Sequence, residues 1–363
     1  MTIITDGLTY LNVKKQYAKN YNMNDTKTNE LGKSLEIEKI LKRNIINHSI
    51  YYKNFSFDYN VKINGVFYKM QSSSPSIIRY PSSSSSSVIN NEIKYVLNIR
   101  LINYYINDNG ISVNHNGINV LTLNKILYLD KHFNVCDKYW IPIKPRNNIQ
   151  YNGIEDVRLF NYNNQIYYIG SYYDNNKIGI VSAPINILSS PIYKLNWIEP
   201  NFNTSNNWEK NWVFFEYNNL KISANKLCII YKWKPLYICQ INYEPYSNKL
   251  NLIKVNNKVP KLFYKFRGST NGVTYDNKIW FITHFHHIIG GIRKYLHCFI
   301  VFDLDMNLIG YSSPFNFRNR LIEFCIGMIE NNHNFIITYS VLDKTSELMV
   351  VPISNIQSII HSY

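Results

Sequence analysis

The chain has 363 residues, enough for one large β architecture or two medium domains and too few for three. Its formal charge is +15, yet Lys and Arg are spread along it with no dense basic tail, Arg-rich helix or zinc-ligand spacing, a field suited to a small phosphate-bearing anion rather than to nucleic acid. There are five cysteines without a CxxC pair, Cys136 and four in apolar strand-like runs, Cys228, Cys239, Cys298 and Cys325, which read as core hydrophobes of a reducing compartment. With no signal-peptide core and no apolar run of membrane length, a cytoplasmic protein without a membrane span is expected.

Along the chain, "TNELGKSLEIEKILKRNI" (28–45) is the one convincing helix, with Leu35, Ile37, Ile40 and Leu41 on one face. "PSSSSSSV" (81–88) reads as a surface insertion. From about residue 75 one pattern recurs: a polar turn, a β-branched or aromatic strand, a polar segment and a second strand. Its copies open near Asn91, Asn164, Asn225, Asn277 and His333. Five strand-only units with a period of roughly 50–70 residues predict an all-β fold, a five-bladed β-propeller over 75–363, preceded by an N-terminal extension, 1–74, with one helix. A β-sandwich of many hairpins is the alternative. It does not require polar residues at equivalent places, and here Arg100, Lys232 and His284 all stand near the end of their unit's first long strand. In a propeller these positions converge on the central funnel.

"YNGIEDVRLF" (151–160) sets Glu155, Asp156 and Arg158 in an apolar, aromatic stretch, with Val157 and Leu159 alternating with Asp156 and Arg158 as on a strand. Buried charges are costly unless paired or working. Other polar groups in apolar context are Arg100, Asn103, Glu209, Lys210, Asn211, Lys232, Arg267, His284, Arg293, Tyr295, His297 and Glu323. Each alone reads equally well as a snorkelling or structural residue. His284, His286 and His287 lack a matched carboxylate and alternate in direction, so no metal and no cofactor is expected. Taken together, one acid, Asp156, among the cations Arg158, Lys210, Lys232 and Arg267 suits transfer to or from phosphate. An inverting hydrolase needs a second carboxylate to activate water. A phosphorylase needs one acid for the leaving oxygen and cations for phosphate, and a glycosyltransferase with a sugar-phosphate donor needs the same parts in reverse.

"GIEDVRLF" resembles the Gly-x-Glu-Asp-Pro-Arg motif of the β-mannoside phosphorylase family and the related β-1,2-mannosyltransferases, which are five-bladed propellers. "EKNWVFF", "IYKW", "FRGSTNGVTYDNKIWFITHF" and "FDLDMNLIGYSSPFNFRNRLIEF" resemble further family segments in the same order, over roughly residues 75–355. The resemblance implies that Asp156 is the proton donor or acceptor and that Lys210, Lys232, Arg267 and His284, with Arg293 and Tyr295, hold phosphate or the donor. Arg100, Asn103, Glu155, Arg158, Asn211 and Glu323 then shape the sugar subsite, and Trp233 or Trp212 stacks on a ring. Val157 stands where the family has Pro, and Lys232 where it has His. The function implied is an inverting glycosyl-transferring enzyme, a mannosyltransferase or mannoside phosphorylase. Its partners are a carbohydrate acceptor and a phosphate, sugar-phosphate or nucleotide-sugar donor. A hydrolase of the same fold, with Glu323 as its second carboxylate, and a non-catalytic glycan- or protein-binding propeller are the alternatives.

Overall fold

The computed structural model describes residues 45–363 except positions 64, 82–91, 116–118, 142–150, 175–176, 187–193, 205–207, 218–225, 244–247 and 290–291. The expected helix over 28–45 lies outside the described residues but for Ile45, and so does the serine run after Pro81.

The described strands form five mainly antiparallel sheets around one axis and a small two-stranded sheet, Tyr104–Ile106 with Ser112–Asn114. Blade 1 holds Asp58–Ile63, Val66–Arg79, Tyr95–Ile102, Val120–Leu129 and Val135–Ile141; blade 2 holds Ile154–Tyr162, Gln165–Asp174 and Lys177–Ile185. Blade 3 runs through Val213–Tyr217, Lys226–Trp233, Leu236–Asn242 and Asn248–Asn256, with Ile198–Pro200 added in parallel at its outer edge. Blade 4 contains Arg267–Gly268, Val273–Tyr275, Lys278–Ile289, Ile292–Asp303 and Leu308–Ser312; blade 5 contains Glu323–Asn331, Asn334–Val341 and Thr345–Pro352. In blades 2, 3 and 5 the hairpins read as repeat units in the sequence are the second and third strands; in blade 4 they are Lys278–Ile289 and Ile292–Asp303, and in blade 1 the unit contributes Tyr95–Ile102.

Why the units read as near-continuous apolar runs is clear from the packing. A strand inside a blade is covered on both faces, so both sets of alternating side chains are buried. Ile279 and Phe281 face blade 3, whereas Trp280 and Ile282 face blade 5. Five clusters of buried side chains lie one between each pair of neighbouring blades, the last joining Leu97 and Leu123 of blade 1 to Ile336 and Leu348 of blade 5. That last cluster closes the ring.

Both ends of the described chain fasten it. Tyr51–Asn54 pairs with Thr345–Pro352 as the outer strand of blade 5, and Ile360–Ser362 is the outer strand of blade 4. The boundary drawn at residue 74 therefore falls inside a blade strand, Val66–Arg79, and residues 51–63 already belong to the propeller. The repeat signal begins late because blade 1's inner strand, with its run Ser72, Ser73, Ser74 and Ser76, is buried but polar. Near a crowded axis small hydroxyl side chains fit, and they bond to neighbouring blades: Ser76 Oγ accepts from the Leu159 N–H at 3.0 Å.

Candidate active site

A cavity of about 270 Å³ opens at the end of the axis where the inner strands of blades 2, 4 and 5 begin. Blade 2 supplies its acids. Regular alternation would put Glu155 and Asp156 on opposite faces, but the pairing slips between Glu155 and Arg158 and Asp156 takes φ 53°. This bulge turns both carboxylates to the cavity wall. Gly153 just before it has φ 94°, and a Cβ there would lie 2.0 Å from the Thr122 carbonyl oxygen, so only glycine lets the turn approach blade 1.

Arg100, from the second strand of blade 1, organises the acids. It donates from Nη1 to Asp156 Oδ1 at 2.8 Å and pairs through Nη2 with Glu155 Oε1 at 3.2 Å. Lys210 Nζ meets the other oxygen of Glu155 at 3.0 Å. Burial lowers the Arg100 pKa, but Tyr104, Glu155, Asp156 and Asp343 more than offset it, so the guanidinium is held well above its ordinary range and stays charged. Asp156 Oδ2 accepts no hydrogen bond among the described residues.

Lys210 and Asn211 arrive on a pinned segment. The Glu209 N–H donates to the Ile178 carbonyl at 2.9 Å, and its buried carboxylate accepts from Tyr231 Oη at 2.7 Å and Trp212 Nε1 at 3.2 Å. Glu209 and Trp212 thus point inward while Trp208, Lys210 and Asn211 line the cavity.

Blade 4 supplies cations and an imidazole. Gly268 next to Arg267 lies so close to blade 3 that a Cβ would meet the Asn211 carbonyl oxygen at 2.4 Å. On the paired strands Lys278–Ile289 and Ile292–Asp303, His284 is opposite His297 and His286 opposite Tyr295, so His284, Tyr295 and Arg293 share a face. All three line the cavity with Arg267. His284 stacks on Tyr295 at 5.6 Å and shares a 2.9 Å hydrogen bond between Nδ1 and Ser269 Oγ. Burial, then His297, Arg267, Arg158 and His286, pushes its pKa well below the usual histidine range. It therefore meets a ligand as a neutral hydrogen-bonding ring, not as a cation.

Several residues singled out in the sequence lie away from the cavity wall. Lys232 follows a bulge at Ile230 and is exposed, with its ammonium 5.7 Å from the Tyr237 ring. Trp233 and Trp212 are core residues. Glu323 is buried with its carboxylate occupied by the N–H groups of Phe317, Arg318 and Arg320. Asn103 clamps the blade 1 backbone through the Leu121 N–H and the Asn119 carbonyl. Arg158 backs the wall instead: it donates to the carbonyls of Asp156 at 2.9 Å, Ser269 at 2.6 Å and Gly268 at 3.3 Å.

Residues not singled out from the sequence also line the cavity, among them Tyr172, Tyr173, Trp208 and Asp343. The rule that selected Arg100 and His284, the end of each unit's first long strand, reaches Tyr172 and Tyr173 when applied to the second unit. In the fifth it reaches Asp343, just past Asn334–Val341. Asp343 Oδ1 accepts from Ser73 Oγ at 3.1 Å. Among the described residues no group of three or more His, Cys, Asp or Glu side chains is placed to hold a metal ion, and no helix is long and apolar enough to cross a membrane.

A five-bladed propeller with an ionic funnel defines the class of fold. No protein-family model matches the sequence, and neither does any curated protein. Solved structures do match. The β-1,2-mannobiose phosphorylase of Listeria innocua, in complex with β-1,2-mannobiose, superposes with a TM-score of 0.51 at 13% identity, over 80% of this chain and 92% of that one. A structure described under the GH130 family of mannoside phosphorylases, said to contain glycoside hydrolases that target β-1,2-mannosidic linkages in Candida mannan, gives 0.54 at 10%, over 86% and 91%. A glycosyl hydrolase from Bacteroides ovatus gives 0.54 at 11%, over 85% and 91%. At these identities the likeness is one of fold.

Proposed function

We propose that the chain is an inverting glycosyl-transferring enzyme that moves mannose between a phosphate-bearing donor and the hydroxyl of a glycan acceptor. The observation that carries this reading is that Asp156 shares one cavity with Arg267 and Arg293, contributed by different blades. In the synthetic direction Asp156 Oδ2 takes the acceptor's hydroxyl proton. The acceptor oxygen bonds to the anomeric carbon from the face opposite phosphate, and the breaking C–O bond leaves its electron pair on a phosphate oxygen. Arg267 and Arg293 stabilise that charge, with His284 and Tyr295 as neutral hydrogen-bonding partners. In reverse, phosphate attacks and Asp156 protonates the departing sugar oxygen. Arg100 fixes Asp156, while Glu155 holds Arg100 and Lys210 in register. The substrates named for structures of the same fold, β-1,2-mannobiose and β-1,2-mannosidic linkages, support mannose as the sugar.

Hydrolysis is the second reading, favoured by one observation: Asp343 brings a further carboxylate to the cavity wall, and an inverting hydrolase needs a second carboxylate to activate water. Glu323, bound to three backbone N–H groups, is not needed for it. One assay separates the two. The protein is incubated with β-1,2-mannobiose with and without phosphate, and with mannose 1-phosphate or GDP-mannose plus mannobiose, while phosphate, GDP and reducing sugar are followed. Phosphate-dependent cleavage, or phosphate or GDP release on synthesis, lost in Arg267→Ala, is expected. Cleavage that ignores phosphate and survives Arg267→Ala overturns the transfer reading in favour of hydrolysis.

A further inference from the structure

The two sides of the cavity differ in chemistry. Blade 4 presents Arg267 and Arg293, whereas Tyr172, Tyr173 and the apolar Ile178 of blade 2, Trp208 of the pinned segment and Tyr151, paired in parallel with Val120 of blade 1, form another side. Tyr151 and Tyr173 meet edge to face at 5.2 Å, and Tyr172 is braced against Trp197 at 5.7 Å. Trp208 is 38% exposed, although its own backbone and that of the residue after it are tied to blade 2. Trp208 bridges to Ile178, and the next N–H donates to the Ile178 carbonyl at 2.9 Å. An exposed indole on an anchored backbone loses little entropy when it meets a ligand, and buried aromatic area is the main apolar contribution to recognition.

We infer that this aromatic wall, with Trp208 at its outer end, is the platform for the acceptor glycan, taking the sugar units beyond the one that reacts. The inference rests on the transfer reading above. Three observations commit the wall to a sugar chain rather than to the base of a nucleotide donor. First, the wall is continuous with the cavity that holds Asp156. Second, the cations nearest this wall, Arg100 and Lys210, are already paired with Glu155 and Asp156, whereas Arg267 and Arg293 stand on blade 4, so a diphosphate leading to a base on this wall would leave the blade 4 arginines for a side whose charges are already neutralised. Third, the cavity volume of about 270 Å³ is at the small end for a ligand pocket, and Trp208 in its lining is exposed, so sugar units beyond the reacting one extend past it. A pyranose has one face of C–H groups and a polar rim, and it matches aromatic faces flanked by Lys210 and Asn211.

The test uses full-length Asp156→Asn protein, so that nothing turns over, and the same protein carrying Trp208→Ala or Trp208→Phe. Calorimetry reads binding of β-1,2-linked mannobiose, mannotriose and mannotetraose, of mannose 1-phosphate, and of GDP. In the parent, affinity is expected to rise with chain length. Trp208→Ala is expected to remove that rise, weakening mannotriose at least tenfold while mannose 1-phosphate stays within twofold, and Trp208→Phe restores most of it. Unchanged mannotriose binding in Trp208→Ala, or a loss confined to GDP, overturns the platform. A parent that binds mannose 1-phosphate but no oligosaccharide overturns the platform alone. A parent that binds neither overturns the transfer reading as well.

Discussion

Asp156 holds a left-handed backbone, φ 53°, and forms an ion pair with Arg100 at 2.8 Å. Asn adopts that backbone region readily and keeps an oxygen for Arg100, but cannot exchange the proton. Asp156→Asn is therefore expected to slow turnover by about 10²–10⁴-fold, the worth of a positioned acid or base. Its thermal midpoint should stay close to the parent's, which thermal denaturation beside the activity assay would check. The motif's residue types were legible in the sequence; the bulge that turns two consecutive carboxylates the same way was not, because Val157 and Leu159 continue a regular alternation around it. His297 makes a second prediction at this scale. It is fully buried against Phe315 and Phe317, and neither ring nitrogen has a hydrogen-bond partner among the described residues. Burial pushes its pKa down to about 3. The folded state refuses a proton that the unfolded state takes up below about pH 6.5. Its stabilising contribution is thus present above that value and is lost as pH falls toward the folded pKa. Between pH 7 and pH 5 the parent should lose about 2 kcal/mol more than His297→Phe in urea unfolding.

Between elements, polar side chains do the joining. Arg158 reaches from the inner strand of blade 2 to two carbonyls of blade 4, and Asn271 answers from blade 4 by donating to the Leu159 carbonyl at 2.8 Å. Burial, the largest influence on Arg158, pushes its pKa down to about 10, against the pull of Asp156, and it remains charged at neutral pH. Arg158→Met fits the space but strands three buried carbonyls at about 1–3 kcal/mol each. A loss of at least about 3 kcal/mol in urea unfolding is expected, together with weaker phosphate binding because Arg267 sits beside the carbonyls that Arg158 holds. The same scale explains what sequence spacing missed. Arg100 and His284 both reach the cavity wall, but a bulge after Ile230 sends Lys232 outward. Blade 3's contribution comes instead from the pinned segment before its inner strand, where Lys210 was legible and Trp208, two residues earlier, was passed over as one aromatic among many.

At the scale of the whole molecule, the five repeat units revealed the ring because their strands, buried on both faces, read as apolar runs at a steady period. The fastening of that ring was not legible, since four residues of an exposed outer strand, Tyr51–Asn54, carry almost no pattern. Phe55, next along, lies in the cluster between blades 1 and 5 and donates its N–H to the Ser346 carbonyl at 2.8 Å. Phe55→Ala should cost about 3–5 kcal/mol in urea unfolding, as much as a core substitution in mid-propeller. The chain's formal charge of +15 gives it a long-range attraction for anions that salt weakens.

Because residues near opposite ends of the described chain are zipped into one sheet, the first and last blades cannot part without also breaking the pairing of Tyr51–Asn54 with Thr345–Pro352. Amide protons of both should exchange with deuterium on a common slow timescale, as one cooperative unit. During synthesis the finished circle must wait for blade 5 to emerge, so a polypeptide stalled before residue 345 holds its early sheets with an uncovered flank.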